Sequence, residues 1–187
     1  MIAHIVTPEG QNHPTEPTDW LIQNEDLLPR SGRALDLACG HGRHAFWLAE
    51  RGLRVDAIDR NLERLRFVRA EAETRSLQVA PLRLDLESGV ADLGNEVYEA
   101  IVVVNYLHRP LFPALRAALR PGGVLVYETF IRAHAQHHHR PSNPDFLLAP
   151  GELPDLVAPL QVLRSREGEF GGRHIASVVA GAVSGTM

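Results

Sequence analysis

The sequence predicts an α/β fold in which a mostly parallel sheet is wrapped by helices, and three observations predict it. Short apolar runs at 34–37, 53–58, 81–86, 100–104 and 124–130 alternate with segments whose apolar residues recur every three to four positions. The run Ala100-Ile101-Val102-Val103-Val104 is uninterrupted and largely β-branched, as a strand covered on both faces must be. The first run breaks at Gly40 and Gly42 and resumes at helical spacing, which reads strand, tight turn, helix.

Composition bounds the rest. A chain of 187 residues with 44% hydrophobic content suffices for one domain with a full core, so residues 1–187 are expected to form a single domain. The net charge of −4 argues against a protein that holds nucleic acid by neutralising phosphates. Every basic residue is arginine, which excludes a lysine base or Schiff base. One cysteine rules out an internal disulfide and a metal site built mainly from thiolates. The first residues lack the basic start and apolar core of a secretory signal, and no apolar run is long enough to span a bilayer. These features predict a cytoplasmic protein away from membranes; they leave its oligomeric state open.

Taken in order, residues 1–16 are polar and proline-bearing and predict a flexible arm. Pro17, a candidate N-cap at Thr18 or Asp19, and Trp20-Leu21-Ile22 predict a short helix before the first strand. Gly52 stops the helix after the glycine turn. Asn61 is placed to cap a helix whose buried stripe is Leu62, Leu65, Val68 and Ala72, with its charges on a solvated face. Pro81 to Leu86 alternates as a strand. Leu111, Leu115, Ala118 and Leu119 form the stripe of the helix after the central strand, ended by Pro121-Gly122-Gly123. Residues 131–148 hold no periodicity but carry His134, His137, His138, His139, Arg140 and Asn143, and predict a lid-like loop. Adjacent histidines lack the separated spacing of a preformed zinc site, so no metal is expected. A short helix from Glu152, then two apolar runs around Gly168 and Gly171-Gly172, predict a C-terminal hairpin.

The chemistry gathers at strand ends. Two glycines one residue apart let a backbone lie flat against a ligand, with the N–H groups of the new helix facing it. Gly40-x-Gly42-x-x-Ala45 also fits the dinucleotide fingerprint, which keeps an NAD-linked oxidoreductase open as an alternative. Two acids narrow the field. Asp36 sits inside the first strand, where a carboxylate is costly unless it has a task. Asp59 ends the second strand, 19 residues past Gly40, within reach of ribose hydroxyls held over the turn. Beyond the central strand, Asn105-Tyr106-Leu107-His108-Arg109-Pro110 lies where open α/β sheets collect ligands, and it supplies the catalytic candidates Asn105, Tyr106, His108 and Arg109.

Asp-Leu-Ala-Cys-Gly-His-Gly with Asp59, followed by Leu-Arg-Pro-Gly-Gly before an apolar strand, resembles the class I S-adenosylmethionine-dependent methyltransferases. The segments around Asn105, Glu128-Thr129-Phe130 and Asn143 to Leu148 are similar to the small bacterial tellurite-resistance-type members. The resemblance implies a Rossmann-like doubly wound sheet of seven strands with an antiparallel C-terminal hairpin. It implies S-adenosyl-L-methionine as cofactor, with contacts from Trp20, Asp36, Ala38, Gly40, Gly42, Asp59, Arg60, Asp85, Leu86 and Asn105. Trp20 either lines the methionine end of the site or anchors its helix to the core, and Asp85 either meets the adenine amino group or serves a turn. The implied acceptor is a small molecule with a soft or anionic nucleophile, such as a thiol or a selenite- or tellurite-type oxyanion. In that reading Asn105 and Tyr106 frame the transfer site, His108 orients substrate or takes a proton, and Arg109 or Arg140 pairs with an anion. A structural ion pair is the rival role for Arg109. The histidine loop motivates one further alternative, a non-catalytic cofactor- or metal-binding protein.

Overall fold

A computed structural model of the chain describes residues 4–6, 12–89, 92–137 and 141–182. The chain falls into two compact units, Met1–Asp85 and Leu86–Met187.

In the first unit β1 (His4–Val6) pairs antiparallel with β2 (Asn12–Pro14), inside the segment expected to be a flexible arm. Helix α1 (Asp19–Gln23) follows with Thr18 at its N-cap, and it buries Trp20 and Leu21. Then come β3 (Arg33–Leu37), α2 (Arg43–Glu50), β4 (Arg54–Asp59), α3 (Leu62–Thr74) and β5 (Val79–Arg83). Strand β4 pairs parallel with β3 on one side and with β5 on the other, which buries Leu35, Leu37, Ala57 and Ile58. As the capping residue predicts, the Asn61 side chain accepts from the Arg64 N–H and starts α3. Strand β5 runs two residues earlier than the expected start at 81 and ends at Arg83, so Asp85 lies beyond it. The reason is pairing: Val55 faces Val79 in the ladder, and Pro81, which has no N–H to give, still fits because among the described residues β5 pairs only with β4.

In the second unit β6 (Tyr98–Val104) leads through a 3-10 turn (Arg109–Leu111) into α4 (Phe112–Ala118), then β7 (Leu119–Phe130). Next are α5 (His134–His137), a 3-10 turn (Pro144–Phe146), α6 (Glu152–Val157) and the strands β8 (Gln161–Phe170) and β9 (Arg173–Gly181). Strand β7 is parallel to β6, β9 is antiparallel to β7, and β8 is antiparallel to β9, turning at Gly171-Gly172. Ile101, Val102, Val103, Leu125 and Val126 form the core between them. Leu119, expected on the helix, is already strand: it pairs with Tyr98, and the ladder shifts register before Ala100. Residues 119–123 therefore continue β7 where a helix stop was expected. Residues 131–148 hold more structure than the absent periodicity suggested. A bridge joins Ile131 to Leu148, and the Arg132 N–H donates to the Leu148 carbonyl at 2.9 Å. His138, His139 and Arg140 lie outside the described residues.

Beside the short β1–β2 pair, the described residues hold seven strands, mostly parallel with antiparallel strands at the C-terminal end, alternating with helices. This is the Rossmann-like α/β class expected.

Candidate active site

In the first unit the site is the turn from β3 into α2. Ala38, Gly40 and Gly42 all adopt positive φ, at 58°, 58° and 81°. The bend is pinned from two sides, by the Cys39 N–H donating to the Ile58 carbonyl at 2.9 Å and the Gly42 N–H to the Cys39 carbonyl at 2.9 Å. The two glycines serve different needs. A Cβ on Gly42 would meet Val68 Cγ2 at 2.9 Å and the Phe46 ring at 3.1 Å, so that glycine is required by packing. A Cβ on Gly40 would meet nothing within 4 Å, so that glycine borders open space.

Both acids hold backbone at this turn. Asp36 is 1% exposed, and its Oδ2 accepts from the Ala45 N–H at 2.9 Å, inside the first turn of α2. Burial pushes its carboxyl up to about 7, opposed by the Ala45 bond and by Arg43, and aided by Asp59. Asp59 Oδ2 accepts from the Gly40 N–H at 2.9 Å, and its Oδ1 from the Asn61 N–H at 2.8 Å. Asp59 was read as a ribose ligand; the fold also uses it to clamp the glycine turn, and each oxygen keeps a second lone pair. Asp36, Ala38, Gly40, Gly42 and Asp59 are thus brought together. Trp20 is buried, and its carbonyl accepts from Asn24 Nδ2 at 2.7 Å. Arg60 and Asp85 are exposed at the ends of β4 and β5, where the Arg60 carbonyl accepts from Arg83 Nε at 3.3 Å. Leu86 is buried and begins the second unit. Burial raises the Cys39 thiol well above its usual range, so it is an inert core residue.

One residue of this turn was not read from the sequence. His44 is 4% exposed, its Nε2 accepts from the Thr18 N–H at 3.4 Å, and its Nδ1 lies 4.0 Å from Asp36 Oδ1. Burial holds the imidazole neutral, its pKa well below 6.5.

In the second unit the segment after β6 is held from β7. Asn105 takes φ 57°, its N–H donates to the Glu128 carbonyl at 2.8 Å, and its Oδ1 accepts from Arg173 at 3.4 Å. The buried Tyr127 stacks on Phe112 at 5.0 Å and donates its hydroxyl to the Tyr106 carbonyl at 2.8 Å. His108 is half-buried, and its carbonyl starts the turn that follows. Arg109 is committed within the fold: its guanidinium bonds both Glu152 oxygens, at 2.5 and 3.0 Å, and the carbonyls of Asp145 and Leu147. That geometry favours the structural ion pair, raises the guanidinium pKa and lowers the Glu152 carboxyl. The second unit also carries a charged group to which the sequence reading gave no role of its own. Glu128, fully buried at the end of β7, accepts from Ser177 at 2.8 Å, Arg166 at 3.1 Å and Arg173 at 3.4 Å.

Residues 34–123 match the family model described as a methyltransferase domain. The fold is that of a class I methyltransferase. Two curated proteins show the same similarity in sequence. One is YqeM of Bacillus subtilis (strain 168), whose name proposes a methyltransferase, at 32% identity over 120 residues, 59% of this chain and 46% of that one. The other is the tRNA U34 carboxymethyltransferase of Hahella chejuensis (strain KCTC 2396), at 34% identity over 120 residues, 60% of this chain and 36% of that one. This chain thus spans less than half the length of either. Among solved structures, TehB from Haemophilus influenzae superposes with a TM-score of 0.72 at 20% identity, covering 88% of this chain and 61% of that one. An S-adenosylmethionine-dependent methyltransferase from Aquifex aeolicus shares the fold, with a TM-score of 0.66 at 17% identity over 88% of this chain and 90% of that one, and the comparisons do not favour the oxidoreductase or non-catalytic alternatives. Among the described residues no three or more His, Cys, Asp or Glu side chains are placed to hold a metal ion. No helix of the described residues is long and apolar enough to cross a membrane.

Proposed function

We propose that this chain transfers the methyl group of S-adenosyl-L-methionine to a small-molecule acceptor, a soft or anionic nucleophile such as a thiol or a selenite- or tellurite-type oxyanion. The observation that carries the reading is the β3–α2 turn: open space above Gly40, a buried acid on the strand before it, and Asp59 on the next strand end. A nucleoside with a cationic amino-acid tail fits these groups, since a flat backbone admits it, lone pairs on Asp59 remain for hydroxyls, and Asp36 favours a nearby cation.

The cofactor supplies a sulfonium-activated, electrophilic methyl group. The protein's task is then to position a nucleophile and exclude water, which in favourable cases lowers a barrier by about 7–11 kcal/mol. Asn105 and Tyr106 frame the acceptor, on a backbone fixed by the Glu128 carbonyl and the Tyr127 hydroxyl. His108 takes the proton that an acceptor such as a thiol must lose. With Arg109 held by Glu152, an anionic acceptor falls to Arg173. Its side chain is 35% exposed, and it pairs with Glu128, a carboxylate that also serves Arg166. No covalent enzyme intermediate is needed, because the acceptor nucleophile can take an electrophilic methyl group directly.

The test is S-adenosylhomocysteine formation, measured with the purified protein across thiols, selenite, tellurite and small carboxylates, beside calorimetry with S-adenosylhomocysteine and NADH. Turnover of one acceptor class that falls at least about tenfold in the His108→Ala, Arg173→Ala double variant is the expected result. Binding of NADH with none of S-adenosylhomocysteine would refute the reading, and unchanged turnover in the double variant would refute the residue roles.

A further inference from the structure

We propose that the Asn105 side-chain amide is a specificity-determining group, and that with the Arg173 guanidinium it forms a rim of hydrogen-bond donors that takes the carboxylate or oxyanion of the acceptor. The inference rests on the reading of this chain as a small-molecule methyltransferase and deepens it: the rim selects an acceptor that carries an anionic group over a neutral one.

Asn105 is fixed by its backbone. Its N–H donates to the Glu128 carbonyl at 2.8 Å, and it takes φ 57°, a left-handed angle that asparagine tolerates better than most residues. The residue is exposed, just past the end of β6. Its amide orientation follows from what it meets. Arg173 Nη1 lies 3.4 Å from Oδ1, and a guanidinium can only donate, so the carbonyl side of the amide must face Arg173. The NH2 side is thereby turned away, with two donors and no acceptor.

Arg173 is fixed in turn from the interior. Glu128 is fully buried, and its Oε2 accepts from the Ser177 hydroxyl at 2.8 Å and from Arg166 at 3.1 Å. The same hydroxyl accepts from Arg166 Nε at 3.3 Å, and the Arg166 guanidinium lies 4.3 Å from the centre of the Phe170 ring. These contacts keep the carboxylate from turning and leave Oε1 for Arg173 Nη2, at 3.4 Å. The acid is closed off from solvent while the Arg173 side chain is partly exposed, so a ligand meets the cation. Among the described residues Arg173 gives one N–H to Asn105 and one to Glu128, of the five that a guanidinium carries.

A rim made only of donors selects by proton count. A carboxylate or an oxyanion offers lone pairs alone, and a hydrogen bond between charged groups is about twice as strong as one between neutral groups. An alcohol or a neutral thiol brings a hydrogen of its own that finds no acceptor on the rim. A staple for the C-terminal hairpin needs Glu128, Arg166 and Ser177, but it gives no reason for a left-handed residue with outward donors at the strand end.

Two thiols that differ at one end test the rim: mercaptoacetate carries a carboxylate and mercaptoethanol a hydroxyl, while selenite stands for an inorganic oxyanion. Each is titrated into the protein saturated with S-adenosylhomocysteine, and binding is followed by two-dimensional NMR at the Asn105 side-chain amide and the Arg173 Nε–H. The wild type is expected to bind mercaptoacetate or selenite at least about tenfold more tightly than mercaptoethanol, with both signals shifting, and the tighter of the two anions gives the acceptor class. Asn105→Asp keeps an oxygen for Arg173 and tolerates the same φ, but it replaces the outward donors by a second carboxylate oxygen, so the preference for anions is expected to vanish. Asn105→Gly keeps the backbone and removes the amide alone, so the preference is expected to fall about three- to tenfold. A residue that merely staples the fold shifts all three affinities by the same factor in both variants. That outcome overturns the proposal, as does a wild type that binds neither anion more tightly than mercaptoethanol. If S-adenosylhomocysteine itself does not bind, the cofactor reading fails, and the same titrations of the protein alone still judge the rim.

Discussion

Replacing Asp36 by Asn tests whether this carboxylate is held for function at the expense of stability. The amide is isosteric: its oxygen accepts from the Ala45 N–H as Oδ2 does, and the change removes only the ionisation. A carboxyl raised from 3.8 to about 7 corresponds to about 4 kcal/mol of folding stability forgone when it is ionised in the empty protein. The sign follows from proton counting. Between these two values the folded chain holds a proton that the unfolded chain has lost, so wild-type stability falls as pH rises from about 4 to about 7 and then levels. Relative to wild type, Asp36→Asn is therefore expected to be about equal below pH 4, more stable by about 1–2 kcal/mol at pH 5, and by up to about 4 kcal/mol at pH 8. The slope from His44 runs the other way, its contribution being lost as pH falls below 6.5, but both chains share it and it cancels in the difference. Urea titrations followed by circular dichroism at each pH give that difference directly. A gap independent of pH, or a wild type more stable than the variant at pH 8, would refute the assignment of a strained buried acid. In the same preparations S-adenosylhomocysteine affinity should fall, since the variant lacks the negative charge that favours a cationic group at the turn.

The two glycines of the turn should respond differently to alanine. Gly42→Ala drives a methyl into Val68 and Phe46 at φ 81°, costing about 2–3 kcal/mol by denaturant titration. Gly40→Ala meets no neighbour, so it should cost only about 1 kcal/mol for its backbone angle, yet weaken S-adenosylhomocysteine binding at least about tenfold by calorimetry. Glu128→Gln leaves the Arg166 and Arg173 guanidinia around a neutral amide, and a loss of about 3 kcal/mol is expected in the same titration.

What could be read from the chain alone was what lies close together in it. Asp36, Gly40, Gly42 and Asp59 stand in one strand–turn–helix–strand stretch, and their spacing is itself the message. His44 was invisible because its partner Thr18 lies 26 residues earlier and a lone histidine on an amphipathic helix reads as surface. Glu128 did carry a signal, an acid inside an apolar strand, the same anomaly that drew attention to Asp36. Its meaning depended on Arg166 and Arg173 from the far hairpin. Arg109 stood where ligands gather, but the carboxylate that engages it comes 43 residues later, beyond any local pattern. The limits of β5 and β7 were misplaced by a few residues because ladder register, not composition, decides where a strand starts.

Strand β8 bears on how the folded protein behaves at high concentration. It is ten residues long and, among the described residues, pairs only with β9, which makes it an edge strand of the kind a passing chain can add to. That rim is guarded by Arg164, Arg166, Glu167 and Glu169, and by the irregularity between Val162 and Arg164 that spoils a flat template. Replacing Arg164, Glu167 and Glu169 with threonine and valine, and leaving Arg166 on the buried Glu128, would invite fibrous self-association, a hazard that any crystallisation or engineering effort on this chain has reason to respect.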